Sequence, residues 1–147
     1  MALSDAKRHQ ITILTTRNDL STSQTSKGIH VVKTDYSDNS LLAEFSGQDV
    51  VISTLGDSAL DLESRAIEVA VRTSVTRFIP SDFGIDTADR SLMKLVYPLQ
   101  KKVERQTQLK KLAANHPSFS YTFLSSGPWF DLVGKILQSP FLYQLEI

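Results

Sequence analysis

The sequence predicts an α/β fold, a parallel sheet with flanking helices, and three observations carry that prediction. Short β-branched or apolar runs, Ile11–Thr15, His30–Thr34, Val50–Leu55, Arg77–Ile79 and Tyr121–Leu124, alternate with helix-forming stretches. The run Val50-Val51-Ile52 is continuously apolar, the pattern of a strand that helices cover on both faces. Connections are short, so successive strands are joined by right-handed crossovers and lie parallel.

The chain of 147 residues, 41% of them hydrophobic, fits one domain with a sizeable core. Sixteen basic residues balance sixteen acidic ones, which removes the electrostatic argument for a nucleic-acid or anionic-membrane partner. The absence of cysteine excludes disulfides, thiolate metal sites and a thiol nucleophile. His9, His30 and His116 are scattered at no ligand spacing, so no metal site is expected. Charge interrupts Met1–Arg8 before an apolar stretch develops, and no run approaches membrane-spanning length. The expectation is a soluble, cytoplasmic protein.

In chain order, the basic segment Lys7-Arg8-His9-Gln10 reads as the end of a helix and Ile11–Thr15 as the first strand. Asn18–Lys27 is polar throughout and reads as a loop with nothing to bury. His30–Thr34 is a second strand, ended by Asp35-Tyr36. Ser37-Asp38-Asn39-Ser40 supplies candidate N-caps for a brief helix carrying Leu41, Leu42 and Phe45, with Gly47 placed as its C′ residue. Gly56 closes the third strand. Ser58-Ala59-Leu60-Asp61 has the capping-box arrangement and opens a helix through Ala66, Ile67, Val69, Ala70 and Val71. Pro98 starts a long charged helix that runs to about Ala114, its lysines and arginine reading as a solvated outer face. Tyr121–Leu124 is the last clear strand, and Gly127-Pro128-Trp129-Phe130-Asp131 is the turn beyond it.

The most informative stretch is Arg77-Phe78-Ile79-Pro80-Ser81-Asp82-Phe83-Gly84. Pro80 lacks an N–H and stops the strand, which leaves the polar turn Ser81-Asp82 at its carboxyl end. In an open parallel sheet, ligands bind in the crevice beyond that edge, so a nucleotide-cofactor domain is expected.

That stretch, with Gly28–Tyr36, Gln48–Thr54 and Gly127–Asp131, resembles the NmrA-like and isoflavone-reductase-like proteins, an atypical branch of the short-chain dehydrogenases. Two mild departures are Asp82, where the family usually has Glu, and Trp129, where it has another aromatic. The resemblance implies a Rossmann-like NADP(H)-binding domain over residues 1–131. It also implies that the apolar stretch 132–147 is a remnant or replacement of the substrate-binding part. By position, Arg17 would meet the 2′-phosphate of NADP, since a guanidinium pairs bidentately with phosphate, and Thr16 beside it is a further cofactor-binding candidate. Asp35 and Tyr36 would lie beside the adenine. Ser53, Thr54, Leu55 and Gly56 would line the dinucleotide cleft, and Pro80, Ser81 and Phe83 would approach the nicotinamide.

The family's catalytic group is a lysine on the helix before the last strand, and Lys101 and Lys102 are adjacent candidates, with spacing to Leu109 and Tyr121 favouring Lys102. Tyr97 and Lys101 also match the Tyr-x-x-x-Lys pair of ordinary short-chain dehydrogenases. The glycines lie too far apart for a pyrophosphate-binding turn, so the resemblance implies a fold without its first strand and glycine-rich loop, shortened at both ends. The function implied is an NADPH-dependent oxidoreductase acting on a small carbonyl or unsaturated aromatic metabolite, impaired by that loss. The alternatives are a non-catalytic NADP-sensing regulator that binds a protein partner, and an inactive shortened product.

Overall fold

The computed structural model describes residues 9–17, 28–84 and 97–126, with the side chains of Asp57, Leu60 and 97–99 excepted. The chain divides into two compact units, residues 1–44 and 45–147, which we take in turn. The loop expected over Asn18–Lys27, the turn at Gly127–Asp131 and the stretch 132–147 lie outside the described residues, wholly or for the most part.

In the first unit, β1 (Thr12–Thr15) and β2 (His30–Lys33) pair in parallel, in register from Thr12↔His30 to Thr15↔Lys33. The ladder extends one residue at each end, His30 N–H to Ile11 O and Thr34 N–H to Thr15 O, both 2.9 Å. Helix α1 (Asp38–Phe45) follows, with its last residue, Phe45, assigned to the second unit. Ser37 is its N-cap: the hydroxyl accepts the Ser40 N–H at 3.3 Å, and the carbonyl accepts the Leu41 N–H at 2.9 Å. Leu41 and Phe45 are its buried residues. Gly47 takes φ +76°, the left-handed conformation expected of the C′ position.

The second unit holds β3 (Val50–Ile52), a 3₁₀ turn (Asp57–Ala59), α2 (Leu60–Arg72), β4 (Arg77–Ile79), α3 (Tyr97–Asn115) and β5 (Ser120–Tyr121). Its sheet is parallel in the order β3-β4-β5. Register places Val51, Phe78 and Tyr121 side by side on one face. Phe78 is fully buried, as are Ile67 and Ala70 of α2 and Leu109 of α3, which together with Val69, Val75 and Phe119 make the core of this unit.

The opposite face differs from expectation. Val50 and Ile52 point away from Val51 and are 46% and 48% exposed, so at these two positions the described residues leave that face open.

The caps of α2 also differ. Its N-cap is Ala59, with no side-chain capping bond, and the 3₁₀ turn shifts the Ser58–Asp61 pattern out of capping register. At the other end the chain leaves in a Schellman arrangement: Val75 N–H to Ala70 O at 3.0 Å and Ser74 N–H to Val71 O at 3.2 Å. Ser74 occupies the left-handed position at φ +61°, where glycine is the usual residue.

Two stability outcomes follow from this packing. Ser74→Gly relieves the left-handed strain and raises unfolding free energy by about 1 kcal/mol. Phe78→Ala empties the centre of the sheet and lowers it by about 3–5 kcal/mol. Urea unfolding followed by circular dichroism measures both.

Candidate functional site

Polar side chains collect at the carboxyl ends of the strands in each unit. In the first, Thr16 and Arg17 leave β1 exposed, and the Arg17 N–H donates to Thr15 Oγ1 at 3.1 Å. Beyond β2, buried Thr34 organises the turn: its Oγ1 accepts the Tyr36 N–H at 3.0 Å and lies 2.8 Å from the Ser40 hydroxyl. These bonds hold Tyr36 at φ +56°, a strained value for a non-glycine residue. Its phenol donates to Leu14 O at 3.4 Å, and burial pushes its pKa up. Exposed Asp35 accepts the Ser37 N–H at 2.9 Å, and this bond is the main reason its pKa falls below the ordinary 3.8.

In the second unit, the Ser53 N–H donates to Ile79 O at 2.8 Å and continues the β3–β4 ladder. The Ser53 hydroxyl is buried with no hydrogen-bond partner among the described residues. Thr54 and Gly56 are exposed, and Leu55 is half-buried. Pro80 ends β4, and Asp82 N–H donates back to Pro80 O at 2.8 Å to form a tight turn. The Ser81 hydroxyl donates to Leu55 O at 2.7 Å, which ties the ends of β3 and β4. Phe83 O accepts from the Ser126 hydroxyl at 2.5 Å, linking the same edge to the segment after β5.

Helix α3 separates the two lysines. Lys101 pairs with Asp61 of α2 at 2.8 Å, on the helix–helix surface. Lys102, one residue on and about 100° around the helix, faces the β4 turn, its Nζ 4.0 Å from Asp82 Oδ1. Asp82 is buried, and its Oδ2 accepts from Gln106 Nε2 at 2.7 Å. Pro80, Asp82, Lys102, Arg105, Gln106 and Phe123 line a narrow cleft with no room for a water molecule. Tyr97 is the first residue of α3, and its side chain lies outside the described ones.

The structure thus groups the expected site residues in two sets. Thr16, Arg17, Asp35 and Tyr36 belong to the β1–β2 sheet. Ser53, Thr54, Leu55, Gly56, Pro80, Ser81 and Phe83 belong to the β3-β4-β5 sheet, and Lys101 and Lys102 to the helix beside it.

Reading the sequence misses Glu63 and Arg105. Glu63 is fully buried on α2, its Oε1 accepts the Ser81 N–H at 2.7 Å, and it pairs with the Arg105 guanidinium, which is also buried. The expectation that the charged face of α3 is solvated therefore fails at Arg105. A signal was present: Arg105 lies four residues before Leu109, on the stripe that an inward-facing leucine defines.

A parallel α/β arrangement with polar groups at the strand carboxyl ends defines a Rossmann-like class of fold. The sequence profile of the NmrA-like family matches residues 1–138, and the chain belongs to that family. It is similar to the oxidoreductase aprR of Aspergillus flavus, 30% identical over 131 residues, which cover 89% of this chain and 44% of that protein. The isoflavone reductase homolog IRL of Zea mays is 31% identical over 102 residues, covering 68% of this chain and 32% of the relative. The chain therefore spans less than half the length of these relatives.

Among solved structures, triphenylmethane reductase of Citrobacter sp. complexed with NADP(H) superposes with a TM-score of 0.69 at 14% identity, covering 89% of this chain and 46% of that one. The leucoanthocyanidin reductase of Vitis vinifera in its binary complex with NADPH gives 0.65 at 18% identity, covering 83% and 40%. These likenesses establish the fold. Among the described residues, no helix is long and apolar enough to cross a membrane, and no cluster of His, Cys, Asp or Glu has metal-ligand geometry.

The Asp35 turn makes a pH prediction. Its folded-state pKa is lowered, so its contribution is present above the unfolded value and is lost as pH falls through the folded one. The Ser37 amide resonance of the wild type shifts as the carboxylate takes up its proton, with a midpoint below 3.8. Asp35→Asn keeps an acceptor oxygen and removes that titration, which NMR detects directly.

Proposed function

We propose that this chain forms part of an NADPH-dependent oxidoreductase acting on a small carbonyl or unsaturated aromatic metabolite. The observation that carries this reading is the placement of Lys102: half-buried, beside a buried carboxylate, at the turn that ends β4. Family membership and relatives that are oxidoreductases support it.

Each unit by itself offers groups that suit part of a phosphorylated dinucleotide. Exposed Arg17 offers a fork-shaped cation for the 2′-phosphate that separates NADPH from NADH. Asp35 and Tyr36 present a carboxylate and a ring edge for the adenosine end. Buried Ser53 Oγ, which lacks a partner among the described residues, has donor and acceptor capacity to give to a ligand. Ser81 and Phe83 would meet the nicotinamide end.

When bound, NADPH would supply the hydride. Lys102 Nζ would hold positive charge against the substrate oxygen as negative charge develops there, and a partly dry cleft strengthens that attraction. Asp82, held by Gln106, keeps the ammonium on the cleft side of α3. Lys101, engaged by Asp61, is the weaker candidate.

Titration with NADPH, read by nicotinamide fluorescence, tests the reading. Arg17→Ala should weaken NADPH about tenfold and leave NADH unchanged, the loss expected for one charge-assisted contact; equal losses for both nucleotides remove the phosphate assignment. Lys102→Ala should retain NADPH binding and lower turnover by about 10²-fold or more. Wild-type binding without turnover on any carbonyl or enone substrate instead favours the NADP-sensing regulator. No binding at all discards both cofactor readings.

A further inference from the structure

The Ser81–Asp82 turn is held by a carboxylate from another element. Glu63, on the first turns of α2, is fully buried, and each of its oxygens is engaged: one accepts the Ser81 N–H at 2.7 Å and the other pairs with Arg105. Arg105, 4% exposed, also donates from Nη1 to Lys101 O at 3.1 Å, which fixes the guanidinium to the turn of α3 that bears both lysines. Ser81 in turn holds Leu55 O through its hydroxyl. One buried side chain therefore connects the end of β4, the end of β3 and the lysine-bearing turn of α3.

Helix cohesion alone does not require such a pair. Apolar residues of similar volume hold two helices together as well as a buried ion pair, often better, because they incur no desolvation penalty. Here α2 and α3 are also joined by Asp61–Lys101 and by Gln108 Nε2, which donates to Ser64 O at 3.3 Å and Glu68 Oε1 at 3.2 Å. What apolar residues could not provide is an acceptor for the Ser81 N–H.

We infer that Glu63 is a positioning residue: through the Ser81 N–H and Arg105 it keeps the β4 turn and the Lys102 turn of α3 in one geometry. The inference rests on reading that edge as the nicotinamide and substrate end. The test replaces the pair with apolar residues, Glu63→Leu with Arg105→Met, and measures thermal unfolding, NADPH affinity by fluorescence, and amide hydrogen exchange at Ser81 against Thr73, whose N–H donates to Val69 O inside unit two.

The expected result is a melting temperature close to wild type, NADPH affinity weakened about tenfold, and Ser81 exchange at least about tenfold faster with Thr73 unchanged, the loss of one charge-assisted bond. Unchanged affinity and unchanged Ser81 exchange in a stable double variant overturn the inference and leave the pair a structural one. If the wild type binds no NADPH, the functional reading falls by itself, and the exchange contrast alone decides: selective acceleration at Ser81 supports the positioning role, and its absence overturns it. Should the double variant not fold, Glu63→Asp, which withdraws the carboxylate by one methylene, is read in the same way.

Discussion

A carboxylate with no exposure to water is the constraint on which the second unit depends. Burying Glu63 costs several kcal/mol unless its charge and lone pairs are met. They are met by Arg105 and by the Ser81 N–H, groups from two different elements. Neither α3 nor the turn after β4 can shift alone without leaving a buried charge or donor unpaired. The requirement thus acts on geometry more than on net stability, since a good apolar packing would have held the helices as well. Its consequence is local precision at the strand edge, where Ser81, Asp82 and Lys102 meet.

The sheets show a second constraint. A parallel sheet is ordinarily covered on both faces, because its crossovers lay helices there. In the second unit α2 and α3 follow β3 and β4, and the core lies on the face that carries Val51 and Phe78; Val50 and Ile52 on the other face stay half-exposed. The described strands fall into a parallel pair and a parallel triple.

The polar network around α3 explains how adjacent lysines come to different environments. A helix turns about 100° per residue, so Lys101 and Lys102 cannot share a face. Lys101, Arg105 and Gln108 meet side chains of α2, and Lys102 and Gln106 meet Asp82 at the β4 turn. Asp82 is buried at the meeting point, with one oxygen given to Gln106 and the other nearest Lys102.

Much of this was legible in the residues themselves. Strand positions follow from β-branched runs, the stop at Pro80 from its missing N–H, and the ends of α1 from Ser37 and Gly47, because each depends on chemistry within a few residues of chain. The Ser58–Asp61 pattern misled, since the 3₁₀ turn before α2 moves those side chains out of capping position, and local patterns do not encode such a shift. The inward turn of Arg105 and the burial of Glu63 were decided by tertiary structure alone. Charged residues on a helix look alike in one dimension. Only the packing of α2, α3 and β4 determines which of them must leave water, and burial then dictates which partners they find.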